Sequence, residues 1–104
     1  MTPHSLKARL EKGSKDYYII DVRSPESYAQ SHLPTSINIP LAELAGKLAT
    51  LPKDKTIVAY CGNINCGLAP KAALELAQKG FKVMELFGGI ATWQEYGFPI
   101  EKKS

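Results

Sequence analysis

The run TIVAY (56–60) is apolar, too short for a helix and rich in strand formers, and a cysteine follows it at once. A strand with no polar side has to be covered on both faces, as central strands of parallel sheets are. The rest of the chain fits that demand. YYIIDV (17–22) and KVMEL (82–86) read as further strands, and INI (37–39) as a very short one closed by Pro40. Between them lie helix-like stretches. Leu6, Arg9 and Leu10 with a stop at Gly13 predict a first helix, with Pro3 near its start. Ser24 predicts a cap for a short helix beginning at Pro25, with Ser27 and Tyr28 inside it. Leu44, Leu48 and Leu51 fall at helical spacing and predict an amphipathic helix over 41–49. Pro70 suits the first turn of a helix whose buried side is expected from Leu74, Leu76, Ala77 and Phe81, with Lys79 in the last turn and Gly80 after it. GGIATWQEYG (88–97) predicts a tight turn and a short helix ended by Gly97.

Strands and helices therefore alternate. The expected fold class is α/β, a small mostly parallel sheet with helices on both faces, joined by right-handed crossovers. The 104 residues suffice for one domain, 1–104, around one core. Ligands of such sheets bind beyond the carboxyl ends of the strands. Cys61 stands there, between the central strand and a helix N-terminus.

The loop after that strand is CGNINCG (61–67), and it holds both cysteines of the chain. Gly62 and Gly67 permit conformations that turn amides inward, and Asn63 and Asn65 tolerate left-handed backbone and bond locally. Ile64 lies between the two asparagines. The next helix adds free N–H groups and the positive end of its dipole. No Asp or Glu lies between Cys61 and Glu75. Such a nest is expected to stabilise a thiolate, a persulfide or a bound oxyanion, and to lower the Cys61 pKa.

Totals narrow the function classes. Thirteen basic and ten acidic residues leave a net charge of +3, and no basic run exceeds Lys102-Lys103, so no nucleic-acid patch is expected. No apolar stretch approaches the roughly 20 residues of a membrane span. The N-terminal stretch lacks the apolar core of a signal peptide. Two cysteines do not make a disulfide framework, which favours a reducing, cytoplasmic setting where a free thiol serves as chemistry. Zinc would need two ligands besides Cys61 and Cys66, and the separated His4 and His32 do not supply them.

Three segments resemble the rhodanese-like family, the single-domain sulfurtransferases, and together they cover nearly the whole chain. IIDVRSPESYAQSHLPTSINIP is similar to the family's first signature, in which Asp-Val-Arg, Glu-x-Tyr-like, His-Ile-Pro-Gly-Ala and Asn-Ile-Pro elements recur in order. IVAYC with APKAALELAQKGF is similar to its active-site strand and helix, and GGIATWQEYGFPI to its closing signature. The resemblance implies that Cys61 is the nucleophile, carrying sulfane sulfur as a persulfide cradled by loop amides from Gly62 to Gly67. A small sulfur donor or a persulfide-bearing protein would load it, and a thiol or cyanide-like acceptor would discharge it. No metal or organic cofactor is implied.

The family's common loop carries an Arg soon after the cysteine and another basic residue near its end. Those places are held here by Gly62 and by Cys66 or Gly67. A dianion such as thiosulfate then loses charge-assisted hydrogen bonds of roughly 1.5–3 kcal/mol each, which favours a polysulfide or protein-bound persulfide as donor. Cys66 is a candidate resolving thiol, or a loop residue packed under the helix start. Asp21, Arg23, Glu26 and His32 are expected to be structural: Arg23 pairing with a carboxylate to fix its turn, His32 satisfied by a backbone carbonyl. Trp93 is expected in the core and His4 in solvent. A binding or redox-sensing module built on Cys61 and Cys66 is the competing reading. A phosphatase or arsenate reductase would need a loop arginine, and the chain's two arginines are Arg9 and Arg23.

Overall fold

The computed structural model describes residues 1–63 and 65–102. Four parallel strands form one sheet in the order β2-β1-β3-β4: β1 (Tyr17–Asp21), β2 (Ile37–Asn38), β3 (Thr56–Tyr60) and β4 (Lys82–Glu85). Five helices connect and flank them: α1 (Pro3–Glu11), α2 (Pro25–Gln30), α3 (Leu44–Lys47), α4 (Leu68–Gln78) and α5 (Gly89–Glu95). β3 is central, with Ile20 opposite Ala59 on one side and Val58 opposite Met84 on the other. Its last four residues are fully buried.

The period-2 alternation of β3 splits the core into two layers. Ile57 and Ala59 join Leu44 of α3 and Ala69, Ala72 and Leu76 of α4 on one face. Val58 and Tyr60 join Leu6 of α1 and Ile90 and Trp93 of α5 on the other. Helices thus cover both faces, as an apolar central strand requires.

Local sequence explains the starts of two helices. The Thr2 hydroxyl accepts from the Ser5 amide (3.1 Å) at the start of α1. Ser24 caps α2 in the same way, with Pro25 at its first position.

Two elements differ from expectation. The stretch 41–49 is not one helix but a single α-turn, α3, between 3-10 turns at Leu41–Glu43 and Leu48–Thr50. Its leucines still face the core, yet neither end has a side-chain cap and Gly46 lies inside it, so nothing sustains a longer α-helix. The buried stripe of α4 is Ala69, Ala72 and Leu76, at spacings of three and four, while Leu74 and Ala77 face solvent. Leu76 and Phe81 are buried as expected. Position 74 lies two residues, about 200° of helix, from position 72 and is carried to the outer face.

Candidate active site: two thiols at the carboxyl end of the central strand

Cys61 is the first residue past β3, where the sheet's pairing has ended. Its main chain is held from the opposite side by the start of α5. The Ile90 amide donates to the Cys61 carbonyl and the Ala91 amide to the Gly62 carbonyl, each at 2.9 Å. This approach needs glycine at 89. Gly89 has φ +62°, and a Cβ there would collide with the Cys61 carbonyl. Gly88, at φ +75°, precedes it in the same turn.

Beyond Cys61 the loop curls on Asn63. The Cys66 amide donates to the Asn63 carbonyl (3.0 Å), and the Asn65 amide donates to Asn63 Oδ1 (2.9 Å). This is the local bonding for which Asn is favoured in turns. The Cys61 thiol donates to the Cys66 carbonyl at 3.6 Å. Gly67 precedes α4 without a side-chain cap, so the helix's first amides are free to face the sulfurs.

Both cysteines line a cavity of about 310 Å³ with Asn63, Ala69, Glu85 and Phe87. Phe87 is 58% exposed beside it. No lysine or arginine side chain lines the cavity among the described residues, and Lys71 is exposed elsewhere on α4. The Met1 α-amino group, on the same wall, donates to the Glu85 carbonyl at 2.8 Å.

The two thiols divide the electrostatics unevenly. Burial pushes the Cys61 thiol up to about 11, and the neighbouring Cys66 adds to the rise against the help of the Ala69 and Gly62 amides. Burial also opposes ionisation of Cys66, but the Cys61 thiol and the amides of Leu68, Gly62 and Ala69 outweigh it, so Cys66 lies below its ordinary value. The expected depression of Cys61 is therefore corrected: Cys61 is raised, and the more exposed Cys66 is the thiol that lies below its ordinary value. Gly62 and Gly67 do not adopt positive φ, and open space surrounds both. The left-handed glycines lie across the cavity at 88 and 89 instead. Ile64 lies outside the described residues.

The family model for the rhodanese-like domain matches residues 2–96. The chain belongs to the rhodanese-like domain family. It is 39% identical over 102 residues to the HTH-type transcriptional regulator Rv0324 of Mycobacterium tuberculosis, covering 98% of this chain but only 44% of the regulator. It is 32% identical over 97 residues to a sulfurtransferase of Allochromatium vinosum, covering 92% of this chain and 88% of that protein. Among solved structures, the BH2092 protein of Bacillus halodurans superposes with a TM-score of 0.94 at 36% identity, over 98% of this chain and 75% of that one.

Within this rhodanese-like domain the Asp-Val-Arg element closes on itself. Arg23 Nε donates to Asp21 Oδ1 (3.0 Å) and Oδ2 (3.1 Å), and one terminal nitrogen donates to Oδ2 (2.6 Å) and to the Ser31 carbonyl (2.6 Å). Burial would lower the Arg23 pKa, but the bonds and charge of Asp21 outweigh it and hold it above its ordinary value. His32 Nδ1 meets the Tyr28 carbonyl at 2.7 Å, and its ring stacks on Tyr28. Glu26 is exposed in the first turn of α2, outside this network. Trp93 is fully buried and His4 exposed, as expected.

Sequence reasoning missed three residues of the site: Gly89, Glu85 and Phe87. The signal for Gly89 was the Gly-Gly pair after a strand. Glu85 and Phe87 had none, because only the fold brings β4's end to the cysteine loop.

Proposed function

We propose that the chain is a sulfurtransferase that carries sulfane sulfur as a persulfide on Cys61. The observation that carries this reading is the position of Cys61. It lies at the end of the central strand, on a cavity wall, with the Gly62 and Ala69 amides directed to its sulfur. The loop Gly62, Asn63, Ile64, Asn65, Cys66 and Gly67 is the cradle, and 1–104 acts as one domain. The Cys61 thiol, raised by burial, ionises to solvent as the donor approaches. The Cys61 thiolate then attacks the terminal sulfur of a persulfide R–S–SH. The S–S bond breaks, RS⁻ leaves, and Cys61–S–SH remains. A thiol or cyanide-like acceptor next takes the outer sulfur and returns Cys61.

The wall bears on the donor. With no lysine or arginine side chain among the described lining residues, a dianion lacks the charge-assisted side-chain hydrogen bonds it would need there. A polysulfide or a protein-bound persulfide is the favoured donor, and a reducing compartment such as the cytoplasm is the favoured setting. Asp21, Arg23 and His32 hold the neighbouring turn, and Glu26 supports α2.

A redox-sensing or binding module is the second reading. The thiol pair favours it, together with the likeness to a transcriptional regulator. Sulfur loading separates the two. Reduced protein is treated with polysulfide or thiosulfate and followed by intact mass spectrometry and peptide mapping. One added sulfur on Cys61 that cyanide removes, absent in Cys61→Ser, is the expected result, with polysulfide ahead of thiosulfate. Absence of added sulfur on Cys61 with both donors, in Cys66→Ser as well as in the wild type, would sink the reading.

A further inference from the structure

Resting on the persulfide reading above, we infer that Cys66 resolves the persulfide: its thiolate attacks the inner sulfur of Cys61–S–SH, releases hydrosulfide and leaves a Cys61–Cys66 disulfide that a dithiol reductant reopens. Three observations carry it. Both thiols line the same cavity, and both are free. The Asn63 turn folds the loop back, so that the Cys61 thiol already meets the Cys66 carbonyl at 3.6 Å. Cys66 is also the more accessible of the two, half-buried where Cys61 is only 3% exposed.

The chemistry balances. The Cys66 sulfur forms a bond to Cys61 Sγ, the Cys61–SH bond of the persulfide breaks, and the electron pair leaves with HS⁻. The sulfane sulfur is reduced by two electrons and the two cysteines are oxidised by two. A dithiol then exchanges with the disulfide, regenerates both thiols and becomes a disulfide itself. The net activity is the reduction of sulfane sulfur to sulfide by a dithiol, distinct from handing sulfur to an acceptor. The lowered Cys66 pKa supports it, since the attacking group must be a thiolate. A reaction that generates persulfides or polysulfides must supply this step, and a disulfide reductase must follow it.

The test uses the 104-residue chain, reduced, loaded anaerobically with polysulfide and freed of excess reagent. Intact mass, peptide mapping and released sulfide are followed over time in wild type and Cys66→Ser. The wild type is expected to lose its added sulfur, release one equivalent of sulfide and gain the Cys61–Cys66 disulfide. Cys66→Ser is expected to hold the added sulfur roughly 100-fold longer, because a neighbouring nucleophile acts at high effective concentration. A wild type that holds its sulfur as long as Cys66→Ser, or releases sulfide without the internal disulfide, overturns the inference and leaves the persulfide reading standing. If neither protein gains sulfur on Cys61, the persulfide reading fails and takes the inference with it.

Discussion

Two turns leave the sheet side by side. One follows β1 and carries Asp21 and Arg23; the other follows β3 and carries Cys61 and Cys66. The strands are in register, Asp21 opposite Tyr60, and the Val22 amide donates to the Tyr60 carbonyl at 3.1 Å. The arginine turn closes every strong polar group on itself. The Asp21 carboxylate is fully buried and takes the Arg23 guanidinium and the Arg23 amide, and Asn38 Nδ2 donates to the carbonyls of both residues at 3.0 Å. The cysteine loop is instead fixed at its base by α5 and, among the described residues, otherwise only by its own turn on Asn63, and leaves its thiols on a cavity wall. Equivalent places on one sheet thus serve opposite ends. A saturated network stabilises the fold, and a partly unsatisfied one keeps hydrogen-bonding capacity for a guest.

The largest expected effect tests the saturated side. Arg23→Ala strands a buried Asp21 carboxylate and should lower unfolding free energy by about 3–5 kcal/mol in a urea titration. A loss under about 1 kcal/mol would mean that the pair behaves as a surface contact and that the contrast is false. Next comes Gly89→Ala, in the turn that anchors the base of the open side. Positive φ and the collision with the Cys61 carbonyl should cost about 2–3 kcal/mol. Because Cys61 itself is displaced, the rate of sulfur loading should fall as well, which a remote core defect of equal cost would not produce.

The sequence carried the saturated side more fully than the open one. Pairing of Arg23 with a carboxylate and a backbone carbonyl for His32 were both legible, since an arginine in the turn after a strand and a histidine before Leu-Pro have few other ways to be satisfied. The alternation of elements was legible too, because periodicity is local. The break in 41–49 was not, since it depends on missing caps and on leucines that pack equally well from short 3-10 turns. The rotated stripe of α4 was missed because alanines, not leucines, meet the sheet there. At the site, Cys61 was legible from its place after the apolar strand. Which thiol ionises was not: that depends on how deeply each sulfur is buried, and sequence spacing does not report burial. The glycines of the loop drew attention that belonged to Gly89, whose contact with Cys61 spans separate parts of the chain.

The division of charge between the thiols gives the third prediction. Cys66 lies below its ordinary pKa and Cys61 is raised to about 11, so near neutral pH Cys66 should alkylate first with iodoacetamide. Below its pKa, the Cys61 labelling rate should rise about tenfold per pH unit, as the thiolate fraction does. In Cys66→Ser the partner's share of the rise is removed and burial remains, so the Cys61 profile should move to lower pH. Peptide-resolved labelling across pH reads both. Faster labelling of Cys61 at neutral pH would reverse the assignment and return the resting thiolate to the strand end. The pair titrates as a unit, so the shift in Cys66→Ser is the measurement that separates their contributions.

The smallest expected effect bears most directly on the comparison. Asn63 is exposed, and its side chain bonds only the Asn65 amide among the described residues. Asn63→Ala should therefore change stability by no more than about 0.5 kcal/mol, the range of ordinary surface positions. The Asn63 carbonyl that accepts from Cys66 survives the substitution, but the turn loses one of its two fastenings. Formation of the Cys61–Cys66 disulfide should slow while the urea midpoint stays in place. A stability loss approaching that of Arg23→Ala would show that the loop is as saturated as its neighbour. An unchanged midpoint with slower disulfide closure would show a loop whose order serves the positions of its two sulfurs rather than the fold.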